Sequence, residues 1–281
     1  MPSAERFFIG IRAWFLPLIA LAYSSCGNRV GAPDTCVCSQ RLPCSASPAL
    51  PWTTVARQGK AAGVSYMEVL FGETDPDARL PLIVAIHGLG DRARVPVGAI
   101  EMLNTPVRVI LPNGPIPHLT GFAWTLVRVR ENRPQELARD LRTQADRLAA
   151  MIRELLRTRP TVGSPIVLGG SQGGMLTFAL ALHHPEVVGH AMPLMGWLPP
   201  ELVPDKQSEG VRYPPIRSIH GAADAIIPLQ PTEKMVERLH ALGFKIQLVS
   251  FEGVGHYMTM PMEEMLNQWL VEALALIAEK R

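Results

Sequence analysis

At 281 residues the chain is long for one domain yet within the range of α/β proteins, and a hydrophobic content of 47% supplies material for a sizeable core. Its 27 basic and 25 acidic residues balance to a formal charge of +2, and the basic residues are scattered, so the massed positive charge of a nucleic-acid binder is absent.

Residues 1–22 place Arg6 and Arg12 ahead of an apolar run from Ala13 to Ala22. That run is too short for a stable membrane span, which needs about 20 apolar residues, and its order is that of a secretory signal. Ala20-Leu21-Ala22 supplies a small-x-small cleavage site, so export after cleavage at Ala22, to a periplasm or the medium, is expected. Lipid anchoring at Cys26 is a weaker alternative, because Tyr23-Ser24-Ser25 lacks the aliphatic residue of a lipobox; an uncleaved amphipathic anchor is another. Cys26, Cys36, Cys38 and Cys44 all follow closely and read as two disulfides. The pairing stays open, with Cys36 to Cys38 the least favourable because its loop is tight. A zinc site competes, weakened by the lack of a nearby histidine and by C-x-C spacing. Residues 23–60 thus form a Cys/Pro-rich leader, and 61–281 the main domain.

From Val64 to Leu70 the pattern partly alternates and ends in turn residues, which predicts a strand. Leu80–Ile86 is almost wholly apolar, as a strand covered on both faces should be, and it delivers His87-Gly88-Leu89-Gly90-Asp91. Val107–Leu111 is a third strand, running into Pro112–His118, where prolines and glycine predict an irregular loop. After Pro134, Leu137, Leu141, Ala145, Leu148, Ile152 and Leu155 recur at helical spacing, so an amphipathic helix ends near Pro160. Pro165–Leu168 is a strand and Met175–Leu182 a helix. Short strands at His190–Gly196 and Ile216–Gly221, a helix over Thr232–Leu242, a strand over Lys245–Phe251 and a helix carrying Met265, Trp269 and Ile277 complete the chain. Strands alternating with helices predict a doubly wound, mainly parallel sheet flanked by helices. Leu198–Pro215 is too short for a large cap domain, so any pocket at this end of the sheet should be open.

Between the strand ending at Leu168 and the following helix lies Gly169-Gly170-Ser171-Gln172-Gly173-Gly174. A nucleophile elbow needs this context: a sharp strand-to-helix turn, small residues two positions either side of the serine, and a helix N-terminus aimed at the reacting oxygen. A phosphate loop would need a Lys and a Ser/Thr after its last glycine, and Met175 stands there. A serine hydroxyl needs an imidazole to take its proton and a carboxylate to orient that imidazole, in the order Ser, acid, His on such a sheet. Asp224, after the strand ending at Gly221, and His256, in Gly253-Val254-Gly255-His256, arrive in that order. Alone, Asp224 reads as a turn cap and His256 as a loop histidine; together behind an elbow they read as a triad. Asp205 and Glu209 lie in a Pro-rich loop and are poorer acids for the role. The backbone N–H groups of Gln172 and Leu89 are the oxyanion donors, and His87 reads as structural.

These blocks, with Leu111-Pro112-Asn113-Gly114-Pro115, Trp124 and Leu194-Met195-Gly196-Trp197-Leu198-Pro199, resemble the phospholipase/carboxylesterase branch of the α/β-hydrolases, which includes the acyl-protein thioesterases. The resemblance runs from about Pro81 to the C-terminus. It implies the α/β-hydrolase fold, Ser171, Asp224 and His256 as triad, and Leu89 and Gln172 as oxyanion donors. Gly170 stands where the family usually has Phe, and Trp124-Thr125-Leu126 replaces Trp-aromatic-Asp, departures at positions that line or support the acyl pocket in relatives, so the resemblance implies the reaction and not the substrate preference. Trp124, Met195, Trp197 and Met258 are the candidates to line the pocket. The expected activity is that of a serine carboxylesterase on short- to medium-chain esters through an acyl-enzyme, without metal or cofactor, acting on a small or lipid-like ester. Thioesters, lysophospholipids and secreted polyesters are alternatives, and a non-catalytic exported binding protein on a hydrolase scaffold is the reading from another class. Oligomeric state is left open.

Overall fold

The computed structural model describes residues 54–73, 75–91 and 97–279. The signal segment and the four cysteines lie outside the described residues. The elements are β1 (Thr54–Ala61), β2 (Val64–Phe71), β3 (Leu80–Ile86), α1 (Val97–Glu101), β4 (Val107–Pro112), β5 (Ile116–His118), β6 (Gly121–Ala123), α2 (Pro134–Thr158), β7 (Thr161–Gly170), α3 (Gln172–His183), β8 (His190–Leu194), β9 (Ile216–Gly221), α4 (Leu229–Ala241), β10 (Ile246–Phe251) and α5 (Met260–Ala278).

Eight strands form one sheet in the order β1-β2-β4-β3-β7-β8-β9-β10. β2 runs antiparallel to both its neighbours, and the pairs from β4 through β10 are parallel. Side chains alternate across the pleat and build two cores. Leu82, Val84 and Ile86 pack with α2, α3 and α4, while Ile83 and Ala85 pack with α1 and α5 on the other face. That two-sided cover explains the unbroken apolar run of β3 and gives the α/β-hydrolase architecture expected from the alternation of elements. α3 is buried from Gln172 to Leu182, so it lies apolar on all sides at the centre of its layer. α2 buries only one stripe, and Glu136 in its first turn and Arg157 in its last complement its dipole.

Two expectations are corrected. The sheet does not begin at 61: β1 starts at Thr54, inside the expected leader, and extends the sheet by an edge strand. Ala62 (φ 44°) and Gly63 (φ 79°) close the β1–β2 hairpin, a two-residue loop with both positions left-handed. Ala at the first of these conceals the turn, since that position usually shows Asn, Asp or Gly. The segment after Pro112 is likewise not wholly irregular, because β5 and β6 pair around Leu119 (φ 52°) into a small ribbon. Gly90 N–H donates to Phe122 O at 2.8 Å, which fastens that ribbon to the loop after β3. Between η-turn residues Pro200–Leu202 and β9 no cap domain intervenes.

Candidate active site

The sheet brings four loops to one end. Ile86 of β3 is in register with Gly169 of β7, and Gly170 with Leu194 of β8, so the loop of Gly88-Leu89 and the turn at Ser171 lie side by side. A Cβ at Gly88 would stand 3.4 Å from Ser171 Cβ. On the other flank Phe251 of β10 is in register with Gly221 of β9. Ala223 N–H donates to Val254 O at 2.8 Å, which zips the Asp224 loop to the His256 loop.

Ser171 has φ 57° and ψ −118°, a conformation that costs on the order of 1–3 kcal/mol. Its surroundings over-determine it. Ser171 N–H donates to Leu194 O, and Ser171 O accepts from Met175 N–H, each at 3.0 Å. A Cβ at Gly169 would sit 2.6 Å from Gly173 O, and one at Gly173 would sit 2.0 Å from Ile86 O, so strand and helix approach too closely for any side chain at either position. Gly170, where the resemblance anticipates Phe, faces open space within 4 Å.

Ser171 Oγ lies 2.9 Å from His256 Nε2, and His256 Nδ1 lies 2.6 Å from Asp224 Oδ2. The carboxylate accepts the Nδ1 proton, which leaves Nε2 with a lone pair for the serine hydroxyl. Asp224 Oδ1 is held by the N–H groups of Ile226 and Ile227 at 2.8 and 2.9 Å, so its turn-capping role and its partnership with His256 coexist. Leu89 N–H and Gln172 N–H donate to no acceptor among the described residues, and Gln172 opens α3, where unpaired donors and the positive dipole end are available to an anion. Such an array can remove a hydroxyl proton and hold a developing oxyanion.

Buried groups fix these loops. His87 Nε2 accepts from Gly114 N–H at 3.0 Å, so the proton resides on Nδ1, which donates to Gly88 O at 2.6 Å. Burial pushes its pKa down, in keeping with a neutral ring. Trp124 Nε1–H donates to His87 O, and Trp124 N–H donates to Gln172 Oε1. Gln172 Nε2 donates in turn to Thr125 Oγ1 at 2.7 Å, and Thr125 to Val127 O. His220, fully buried, donates from Nε2 to Ile227 O at 2.8 Å and lies 3.5 Å from Asp224 Oδ2. Burial pushes its pKa down as well.

Beside Ser171 lies a cavity of ≈ 160 Å³, with Thr125, Val127, Val129, Leu137, Met175 and Ile227 in its wall and Leu89, Ile226, Arg128 and Arg130 completing it. None of the four residues expected to line the pocket stands in the wall of this cavity. Trp124 is 1% exposed and braces the loops; Met195 is buried against the α1–α5 face, where Met258 also packs; Trp197 packs on the α2–α3 face. The lining of this cavity comes from the segment after Trp124 and from residues of α2 and α3. Leu137 and Met175 were visible as apolar helix positions, but no spacing rule marks them as pocket residues.

Residues 72–271, more than half of the chain, match the family model for phospholipases and carboxylesterases. The chain belongs to the phospholipase/carboxylesterase family. It is 31% identical over 115 residues to a protein of Oryza sativa subsp. japonica named a probable carboxylesterase, an alignment covering 41% of this chain and 43% of that protein, so it spans under half of that relative's length. It is 26% identical over 195 residues to acyl-protein thioesterase 1 of Gibberella zeae, covering 62% of this chain and 82% of the fungal protein. A solved carboxylesterase from Mesorhizobium loti superposes with a TM-score of 0.62 at 23% identity, covering 77% of this chain and 98% of that one, and so shares the fold of this family member. No helix among the described residues is long and apolar enough to cross a membrane.

Proposed function

We propose that this family member is a serine esterase that hydrolyses short-chain carboxylic esters through an acyl-enzyme. The observation that carries the reading is the continuous chain Ser171 Oγ, His256 Nε2, His256 Nδ1, Asp224 Oδ2, with contacts of 2.9 and 2.6 Å. As Ser171 attacks the carbonyl carbon, its proton passes to His256 Nε2, and Asp224 stabilises the resulting imidazolium. The oxyanion forms against Leu89 N–H and Gln172 N–H, a donor of this kind contributing about 2.7–4 kcal/mol. His256 then protonates the leaving alcohol, and water repeats the cycle to free the acid. A cavity of ≈ 160 Å³ is close to the ~150 Å³ that holds a benzene-sized guest, which favours acyl chains of about four to six carbons.

A fluorophosphonate probe should label the wild-type protein and not Ser171→Ala, and p-nitrophenyl esters should show kcat/KM greatest near hexanoate and falling with longer chains. Equal labelling of both proteins would overturn the assignment of the nucleophile.

A further inference from the structure

The loop that walls the cavity carries more positive charge than its own acids balance. Arg133 is paired with Glu136, and more distantly with Glu131 at 3.9 Å. Asp140 is occupied by the N–H groups of Leu126 and Val127 at 2.8 and 3.5 Å. Arg128 and Arg130, both in the cavity wall, make no side-chain hydrogen bond or ion pair among the described residues, and no acidic side chain shares that wall with them. Arg128 is half-buried and Arg130 exposed. The wall is almost wholly apolar, so Arg128 and Arg130 line it chiefly through their aliphatic stems.

The segment is also held in place at both ends. Thr125 is tied to the Gln172 side chain, Asp140 fixes the next two residues, and Asn132 (φ 53°) turns the chain into α2. Two planar cations carried on a fixed backbone at the edge of that wall, paired with no acid among the described residues, suit a carboxylate or a phosphate, which a guanidinium can grip through two parallel hydrogen bonds.

We infer that the preferred substrate is an ester carrying an anionic group, its charge received by Arg128 and Arg130 while its short aliphatic part fills the cavity. The inference rests on the esterase reading for turnover but not for binding. Hydrophobic burial would place the chain, and the arginines would select among chains of equal length.

The test compares mono-p-nitrophenyl adipate with p-nitrophenyl hexanoate for a charge on the acyl side, and 4-(hexanoyloxy)benzoate with phenyl hexanoate for a charge on the alcohol side. In the wild type the anionic member of one pair should lead in kcat/KM by about tenfold or more at low salt. That ratio should shrink as NaCl rises and approach unity in Arg128→Gln/Arg130→Gln. A ratio near one in the wild type, or one unmoved in the double variant, overturns the inference, and the guanidinium stems then merely cover apolar surface with their heads in water. Failure of the esterase reading shows differently, as no turnover of either ester. In that case calorimetric binding of monomethyl and dimethyl adipate to Ser171→Ala decides: tighter binding of the monoester, lost in the triple variant, supports the inference, and equal binding sinks it.

Discussion

Gln172 works through both its backbone and its side chain. Its N–H faces the space where an oxyanion would form, while its amide links Trp124 N–H to Thr125 Oγ1 and so holds the cavity wall. Gln172→Ala keeps the backbone donor but strands the buried Trp124 N–H, at a cost of about 1–3 kcal/mol. We expect a lower Tm, by roughly 2–4 °C per kcal/mol for a domain of this size. KM should rise more than kcat falls. Thermal denaturation and Michaelis kinetics check this, and a large fall in kcat at constant KM would place the side chain in transition-state stabilisation instead. The hydrogen-bonded residues Ser171, His256 and Asp224 were legible because chemistry restricts their types and order, and the elbow glycines because steric approach permits nothing larger. The amide bridge was not, because no local pattern connects positions 125 and 172.

At the scale of elements, β2 and β4 meet around a buried charge. Glu68, wholly inaccessible, pairs with Arg108 Nε at 2.9 Å, an ion pair without the alignment of a hydrogen bond, and accepts hydrogen bonds from Arg57 and Arg159. Burial alone would raise its pKa, but the hydrogen bonds from Arg57 and Arg159 more than offset this and hold it below the ordinary carboxylate value. Arg108 also donates to the carbonyls of Pro76, Ala78 and Pro160, so the cluster ties together the loops before β3 and β7. Glu68→Gln would preserve shape and leave Arg108 buried without a counter-charge. It should cost about 3–5 kcal/mol in urea denaturation; a loss below about 1 kcal/mol would mean that the carbonyls suffice for Arg108. A partly alternating strand is all the sequence suggests here. The long helix α2, by contrast, was legible from its spacing, because one stripe of leucines and alanines faces a single layer.

For the molecule as a whole, pH should act first through histidines kept neutral by burial. His87 and His220 are 4% and 0% exposed, and both have pKa values below the ordinary 6.5. Above that value neither the folded nor the unfolded chain binds the proton, so stability is unaffected. As pH falls through 6.5 the unfolded chain takes up protons that the folded one refuses, and stability declines by up to about 1.4 kcal/mol per pH unit for each ring. Glu68 adds a second loss at lower pH. Its stabilisation is present above the unfolded value of 4.5 and fades as pH drops below it toward the lower folded value. Denaturation midpoints measured from pH 8 to 3 should therefore fall in two stages, the second below 4.5, and a flat profile from 7 to 5 would contradict the neutral, buried rings.

The sequence by itself determined the layered architecture, the position of the elbow and the identity of the groups that meet there, because periodicity, steric exclusion and acid–base chemistry are written in residue types. Only the tertiary structure decided what surrounds them. Trp124 became a brace and not a wall, Arg128 and Arg130 came to share a cavity with Ser171 without an ion-pair partner among the described residues, and Ala62 proved able to close a hairpin. Each of these depends on which side chains from distant segments share one space, and packing settles that after the local rules have been satisfied.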